Sequence, residues 1–500
     1  MAFSFADGFD LYATGTMAEA YNGYWDSSPG TNLAGPIAGR FAGSRAMQPG
    51  TQSTNPALVK ASNVNDAVHH VVLAYYQTNA ISGVANGFFI TLRDGATAQC
   101  TITFQSNGNI VLTSGVSIGT VLATYVGAFS VTTTWYAFEF EVVINNTTGS
   151  FAVRKNGNPA NDFTATGLNT RGGTANNYAN AIGVGWYSTS NSYIDDFFWR
   201  SDATSVAWMG DLRCVTRMPV TDASVTFGVA GTRTQVGTGS TAYFTAAGTP
   251  SVYFPFVMTI AGSLVSISEF IYAFTGTVKC ALFNDNGSNA PGTVIATSST
   301  VVTNPTGVSY IFAFTGVTLA VGQKVWLGFC PSTASTNFVP FQNGLTPVVS
   351  ATVSYASFPV ANPTVNAVTA ALTSPTAATF TITPINSSAV NDPQQDATTS
   401  YVYDSTPGDA DFYNIGTIAT SAPITLAVTT RGYMQKSDVG GRTAAVQIKS
   451  GATTVASPTL TLTTSGWQWA YRTDIVDPNT GSAWTAAAVA AAQVGPVTVS

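Results

Sequence analysis

From Trp135 to Ile144 the chain alternates strictly between two kinds of position. Tyr136, Phe138, Phe140, Val142 and Ile144 share one parity, and Trp135, Ala137, Glu139, Glu141 and Val143 the other. A period of two with one aromatic and aliphatic face predicts a half-buried strand. Asn145 through Gly149 supply turn chemistry, and Phe151 and Val153 resume the alternation. Asn156-Gly157 then predicts a type I′ turn, because both central positions need positive φ. Similar runs at 68–76, 87–92, 100–104, 110–112, 181–186 and 193–199 read as further strands of the same region.

The pattern continues to the C-terminus, interrupted by clusters of Gly, Asn, Ser and Pro at short intervals, which argues all-β. Three antiparallel sandwich modules are predicted. The first spans 1–227; the second, 228–383, is a jelly roll with a linker rich in Pro, Ala, Thr and Val; the third spans 384–500. Second-module strands fall at 252–260, 278–283, 310–314 and 325–329, and third-module strands at 400–403, 424–430, 443–449 and 467–473. Residues 484–494 are Ala-rich and predict one short helix, stopped by Gly495 and Pro496.

Composition changes the picture in two ways. Charged residues are only 8% of the 500, against roughly 25% in an ordinary domain. Hydroxyl and amide side chains keep the surface wet in their place, so the slightly positive mean hydropathy is no membrane signal. The N-terminus shows no secretory signal pattern. A net charge of −6 with scattered Lys and Arg argues against nucleic-acid binding. Cys100, Cys214, Cys280 and Cys330 form no metal motif with the two His, and they read as free thiols of a chain folded in a reducing cytosol.

The order of several short motifs resembles tailed-bacteriophage virion proteins with a concanavalin A/laminin-G-like domain. These are Asp7-Gly8-Phe9-Asp10-Leu11-Tyr12, the strand Thr134 to Ile144, Val153-Arg154-Lys155-Asn156-Gly157, Tyr193-Ile194-Asp195-Asp196 and Gly210-Asp211-Leu212-Arg213. Asp396 to Asn414 and Asp477-Pro478-Asn479-Thr480-Gly481 through Trp484 resemble the sandwich that often follows that domain. Residues 281–296 and 319–329 resemble a jelly-roll module inserted between the two. The resemblance implies a non-enzymatic virion structural protein, made in the bacterial host cytoplasm. Its placement would be a tail fibre or other host-adsorption device that contacts cell-surface glycan, or, alternatively, a capsid decoration or head fibre. It implies other virion proteins as partners and a homo-oligomer, a trimer by analogy with symmetric appendages. Such domains in some cases bind Ca²⁺ at a sandwich edge through carboxylates and carbonyls, and the carboxylates here would be Asp195 or Asp196 with Asp7 or Asp10.

Other groups invite chemistry. Glu139 and Glu141 share a strand face about 7 Å apart, a spacing that sandwich glycosidases use for acid and nucleophile. The intervening acid of the Glu-x-Asp-x-Glu pattern is replaced by Phe140, so an outward, solvated sheet face is expected instead. Strand parity places Asp195 and Asp196 on opposite faces, and likewise His69 and His70. Tyr21, Tyr24, Trp25, Tyr178 and Tyr187 lie in polar loops. As exposed rings they are candidates for stacking on sugars or for docking a partner protein.

Overall fold

The computed structural model describes residues 3–12, 24–26, 33–49, 55–78, 86–130, 134–187, 192–204, 207–231, 233–236, 251–271, 275–306, 308–333, 349–367, 379–391, 400–416 and 427–500. It is all-β, as the alternation predicts, with two short helices among these residues. The chain forms two compact units. One comprises Met1–Met218, Asp392–Gln395 and Ser405–Ser500; the other comprises Pro219–Asn391 and Asp396–Asp404.

The first unit is built on a sandwich of two antiparallel sheets. One sheet runs in the order β12 (Phe163–Leu168), β11 (Gly149–Lys155), β10 (Tyr136–Val143), β5 (Val68–Gln77), β14 (Ser192–Asp202), β3 (Arg45–Pro49) and β2 (Leu33–Ala38), and β1 (Phe3–Asp7) also pairs with β14. The other runs β4 (Leu58–Asp66), β13 (Ala179–Trp186), β6 (Asn86–Asp94), β7 (Thr97–Gln105), β8 (Ile110–Ser114) and β9 (Val121–Tyr125). The alternating residues Phe138, Phe140 and Val142 of β10 enter the core between the sheets, and Phe138 meets Phe104 of β7 edge-on with centroids 5.6 Å apart. Asn156 and Gly157 have φ of 53° and 72°, and Asn158 N–H donates to Lys155 O at 3.1 Å, the geometry expected of the turn.

Residues 405–500 do not stand as a third unit. The two-stranded antiparallel sheet of Val428–Met434 and Gln468–Asp474 sends Trp469 into the first unit's core, with Tyr433 and Tyr471 packed against it. Behind it a smaller core gathers Ile448, Trp484, Val489 and Ala492. The helix is shorter than the sequence suggests, Ala486–Ala491, and Thr485 caps it by accepting from Ala488 N–H at 3.0 Å. Gly495 and Pro496 do not stop it. They lie in the strand Gln493–Thr498, where a Cβ on Gly495 would come within 2.0 Å of Asp411 O.

The second unit is a separate sandwich. Its seven-stranded sheet includes Ser251–Val257, Thr277–Asp285 and Lys324–Pro331, and its five-stranded sheet includes Gly262–Ile271, Val308–Ala313 and Thr379–Pro384. Phe254, Ile267, Leu282, Phe312, Leu327 and Phe380 fill the space between them.

Candidate functional site on the outer sheet face

On β5 the core takes Val71, Leu73 and Tyr75, so His70, Val72, Ala74 and Tyr76 face outward. The register sets His70 beside Glu141 of β10 and Tyr76 beside Tyr193 of β14. Trp135, one residue before β10, continues the register in which Tyr136 lies opposite Tyr75. Three aromatic rings therefore form a row across adjacent strands. Tyr76 is 5.1 Å from Trp135 and 5.6 Å from Tyr193 between centroids, with interplanar angles of 31° and 43°. All three are partly exposed.

The rest of this face is covered by a strap of irregular chain, residues 207–216. Glu139 is 2% exposed, not solvated as its parity suggests. Its carboxylate accepts from Met209 N–H and Gly210 N–H of the strap, both at 2.8 Å. His70 bridges the two glutamates, Nδ1 to Glu139 at 3.1 Å and Nε2 to Glu141 at 2.9 Å. Burial would lower the imidazole pKa, but the flanking carboxylates hold it above its ordinary value. The Trp208 ring stands edge-on to His70 at 5.0 Å, and the Arg154 guanidinium lies over Trp208 at 4.1 Å. On the core side, His69 is buried against Asp66 O and Trp199, and burial lowers its pKa to about 4. A retaining glycosidase needs one free carboxylate nucleophile and one acid. Glu139 is instead a fastener.

Further along, the strap is held by aspartates. Asp211 pairs with Arg40 through two bonds of 2.6 Å, Cys214 N–H donates to Asp196 at 2.7 Å, and Thr216 Oγ donates to Asp10 at 2.9 Å. Asp195 and Asp196 do not take opposite faces. A β-bulge shifts the register between Asp195 and Phe198, and Asp196 takes φ of 54°. Ile194 and Phe197, three apart, both reach the core, so both carboxyls are left on one side and their charges interact. Asp195 accepts from Arg40 N–H, Ser44 Oγ and Asp196 N–H at 2.8, 3.1 and 2.7 Å. Asp196 Oδ2 has no hydrogen-bond partner and faces Arg40 at 3.7 Å.

The four aspartates do not come together as a calcium cage. Asp7 lies in a different cluster, accepting from Phe9 N–H, Tyr12 OH, Trp25 Nε1 and Arg431. Asp10 is engaged by Arg45 N–H and Thr216. Ca²⁺ takes six to eight oxygens. Among the described residues no group of three or more His, Cys, Asp or Glu side chains is placed to hold a metal.

The loop aromatics fare differently from expectation. Tyr24 and Trp25 are fully buried: Trp25 donates to Asp7, and Tyr24 lies under the Arg431 guanidinium at 3.8 Å. Tyr21 lies outside the described residues. Tyr178 and Tyr187 are partly exposed but flank opposite ends of β13, about 30 Å apart by strand rise, so they form no joint site. Sequence reasoning missed the row of Tyr76, Trp135 and Tyr193. Outward parity of Trp135 was the available signal, but the strand order that joins the three was not.

No protein-family profile and no curated protein matches the chain. Among solved structures it is similar to a galectin from Caenorhabditis elegans, at 16% identity over 30% of this chain and 93% of that one, with a TM-score of 0.21. It is similar to lectin II from Ulex europaeus at 7% identity over 40% and 99%, TM-score 0.23. A protein of unknown function from Shewanella oneidensis gives 13% identity over 42% and 89%, TM-score 0.27. Scores this low carry no argument about function, and the sandwich architecture rests on the sheet order itself.

Proposed function

We propose that the chain is a non-enzymatic structural protein of a tailed-phage virion, acting in host adsorption, and that the row Trp135–Tyr76–Tyr193 contacts cell-surface polysaccharide. The virion setting rests on the sequence resemblance. The binding role rests on the row: three partly exposed rings at one register level, which make a contiguous aromatic surface rather than scattered single side chains. Flat rings present an apolar platform to the C–H faces of pyranoses, and their polar rims suit a wet interface. The fastening of Glu139 supports a binding reading over a hydrolytic one.

Competition for adsorption tests it. Purified chain is expected to slow attachment of the phage to its host, and the Trp135→Ala form to have lost that effect. Antibody that labels heads while leaving adsorption untouched would instead favour capsid decoration and overturn the adsorption role.

A further inference from the structure

Besides β1, which pairs only with β14, four strands end the two sheets of the first unit, and they are treated unequally. An edge strand turns a row of N–H and C=O groups outward, a template for pairing that chains normally blunt. β4 is covered: Asp26 N–H donates to Val59 O at 2.8 Å, and the Asp26 carboxylate accepts from Ala61 N–H at 2.6 Å and Lys60 Nζ at 2.7 Å. β2 carries Pro36, which has no N–H, and its register shifts between Ala34 and Ile37. At the opposite side β9 and β12 end their sheets together, with Tyr125 stacked on Phe163 at 5.4 Å. Neither is blunted by charge or proline: the chain has no Asp, Glu, Lys, Arg or His from Gly95 to Phe138, nor from Phe163 to Thr170. Around β9 stand exposed aliphatic side chains, Val116 at 49%, Ile118 at 61%, Val121 at 57% and Val126 at 74%.

We infer that β9 is a self-association edge, pairing antiparallel with β9 of a second copy across a two-fold axis and joining two six-stranded sheets. A second copy is the occupant the chemistry favours. An isologous contact sets each residue of the patch against the same patch, so any fixed charge there would meet its like. Residues 114–127 and 163–168 carry none; the nearest charges, Asp162 beside Tyr125 and Lys155 on Ala128 O, stand at the margin of the patch. Pairing about Ala123 places Val121 opposite Tyr125 of the other copy and the small Ala123 on the axis, where backbones approach most closely. Residues 114–127 with β12 make about twenty residues, the number a standard interface needs on each side. The result is a two-fold pair, where the resemblance implies a trimer.

Sedimentation equilibrium of the full chain, from about 1 to about 100 μM, tests the inference. The expected result is a dimer that Val121→Lys weakens at least about tenfold. Val439→Lys, at an exposed residue elsewhere in the first unit, should leave association unchanged. As a second reading, oxidised Ala123→Cys should cross-link into a covalent dimer, since opposed residues of an antiparallel pair lie about 4.5–5.5 Å apart, within disulfide range. A monomer over the whole range, an oligomer indifferent to Val121→Lys, or no cross-link at Ala123 would each overturn it.

Discussion

Two of the buried carboxylate clusters in the first unit differ in how their charge is balanced. Asp7, 1% exposed, has its own cation. Arg431, from the C-terminal segment, approaches it at 3.4 Å, while Tyr12 OH and Trp25 Nε1 donate to it at 2.5 and 2.8 Å. Arg431 in turn lies over the Tyr24 ring. At the bulge, Asp195 and Asp196 share Arg40 with Asp211, and Asp211 holds both terminal nitrogens of its guanidinium. Burial, and for Asp196 the adjacent Asp195 charge, pushes the carboxyls of this pair above the ordinary aspartate range. Burial is met at the bulge by raised carboxyl pKa values, and at Asp7 by an arginine. The first cluster joins the N-terminal and C-terminal segments of one unit, and the second anchors the strap.

The largest effect is therefore expected from Arg431→Leu. Removing one partner of a buried ion pair costs about 3–5 kcal/mol, and denaturant unfolding should show a loss of that size. Adding Asp7→Asn should recover part of it, as a double-mutant cycle would register.

Asp196→Asn should act in the opposite sense. A carboxyl raised on folding contributes stability that is complete below about pH 3.9 and is lost as pH rises through the raised value. Wild type should thus lose thermal stability from acid towards pH 8, and the Asn form should lose less. At pH 8 the variant should be more stable by about 1–3 kcal/mol, on the scale of 1.36 kcal/mol per unit. Asn also tolerates the positive φ found there, so the backbone itself gives no reason for strain. A variant less stable than wild type at pH 8 would break the contrast between the clusters.

The strap's other anchor gives a smaller change. Glu139→Gln retains the side-chain shape but weakens the bonds from Met209 and Gly210, and should cost about 1–2 kcal/mol. The sign for His70 follows from its raised pKa: its stabilisation is present below about pH 6.5 and fades as pH climbs through the folded value. NMR titration of His70 should show that value falling in Glu139→Gln. Smallest of all, Ser44→Ala removes one donor to Asp195 and should cost about 1 kcal/mol while steepening the loss of stability with pH.

Much of this was legible in the sequence where regular alternation carried the information. β10 and its core face followed from period two alone, as did the turn at Asn156-Gly157. The bulge was not legible, because Asp195-Asp196 reads as unbroken alternation until the pairing with β5 is known. The burial of Glu139 escaped for a related reason: residues 207–216 form no periodic element, yet they cover the face that parity calls exposed. Tyr24 and Trp25 looked like loop residues because polar neighbours surround them in sequence. Their burial depends on Asp7 and Arg431, the latter more than four hundred residues away.

On the proposed reading one sheet face is divided: carboxylates fasten a strap, and aromatic rings are left to meet a ligand. Calorimetric titration with a panel of neutral polysaccharides (dextran, mannan and galactan), with reducing ends assayed in the same samples, tests it most directly. Binding to at least one member is expected, weakened about tenfold or more by Trp135→Ala, left within about threefold by Glu139→Gln, and accompanied by no release of reducing ends. Binding indifferent to Trp135→Ala, or reducing-end release abolished by Glu139→Gln, would contradict it.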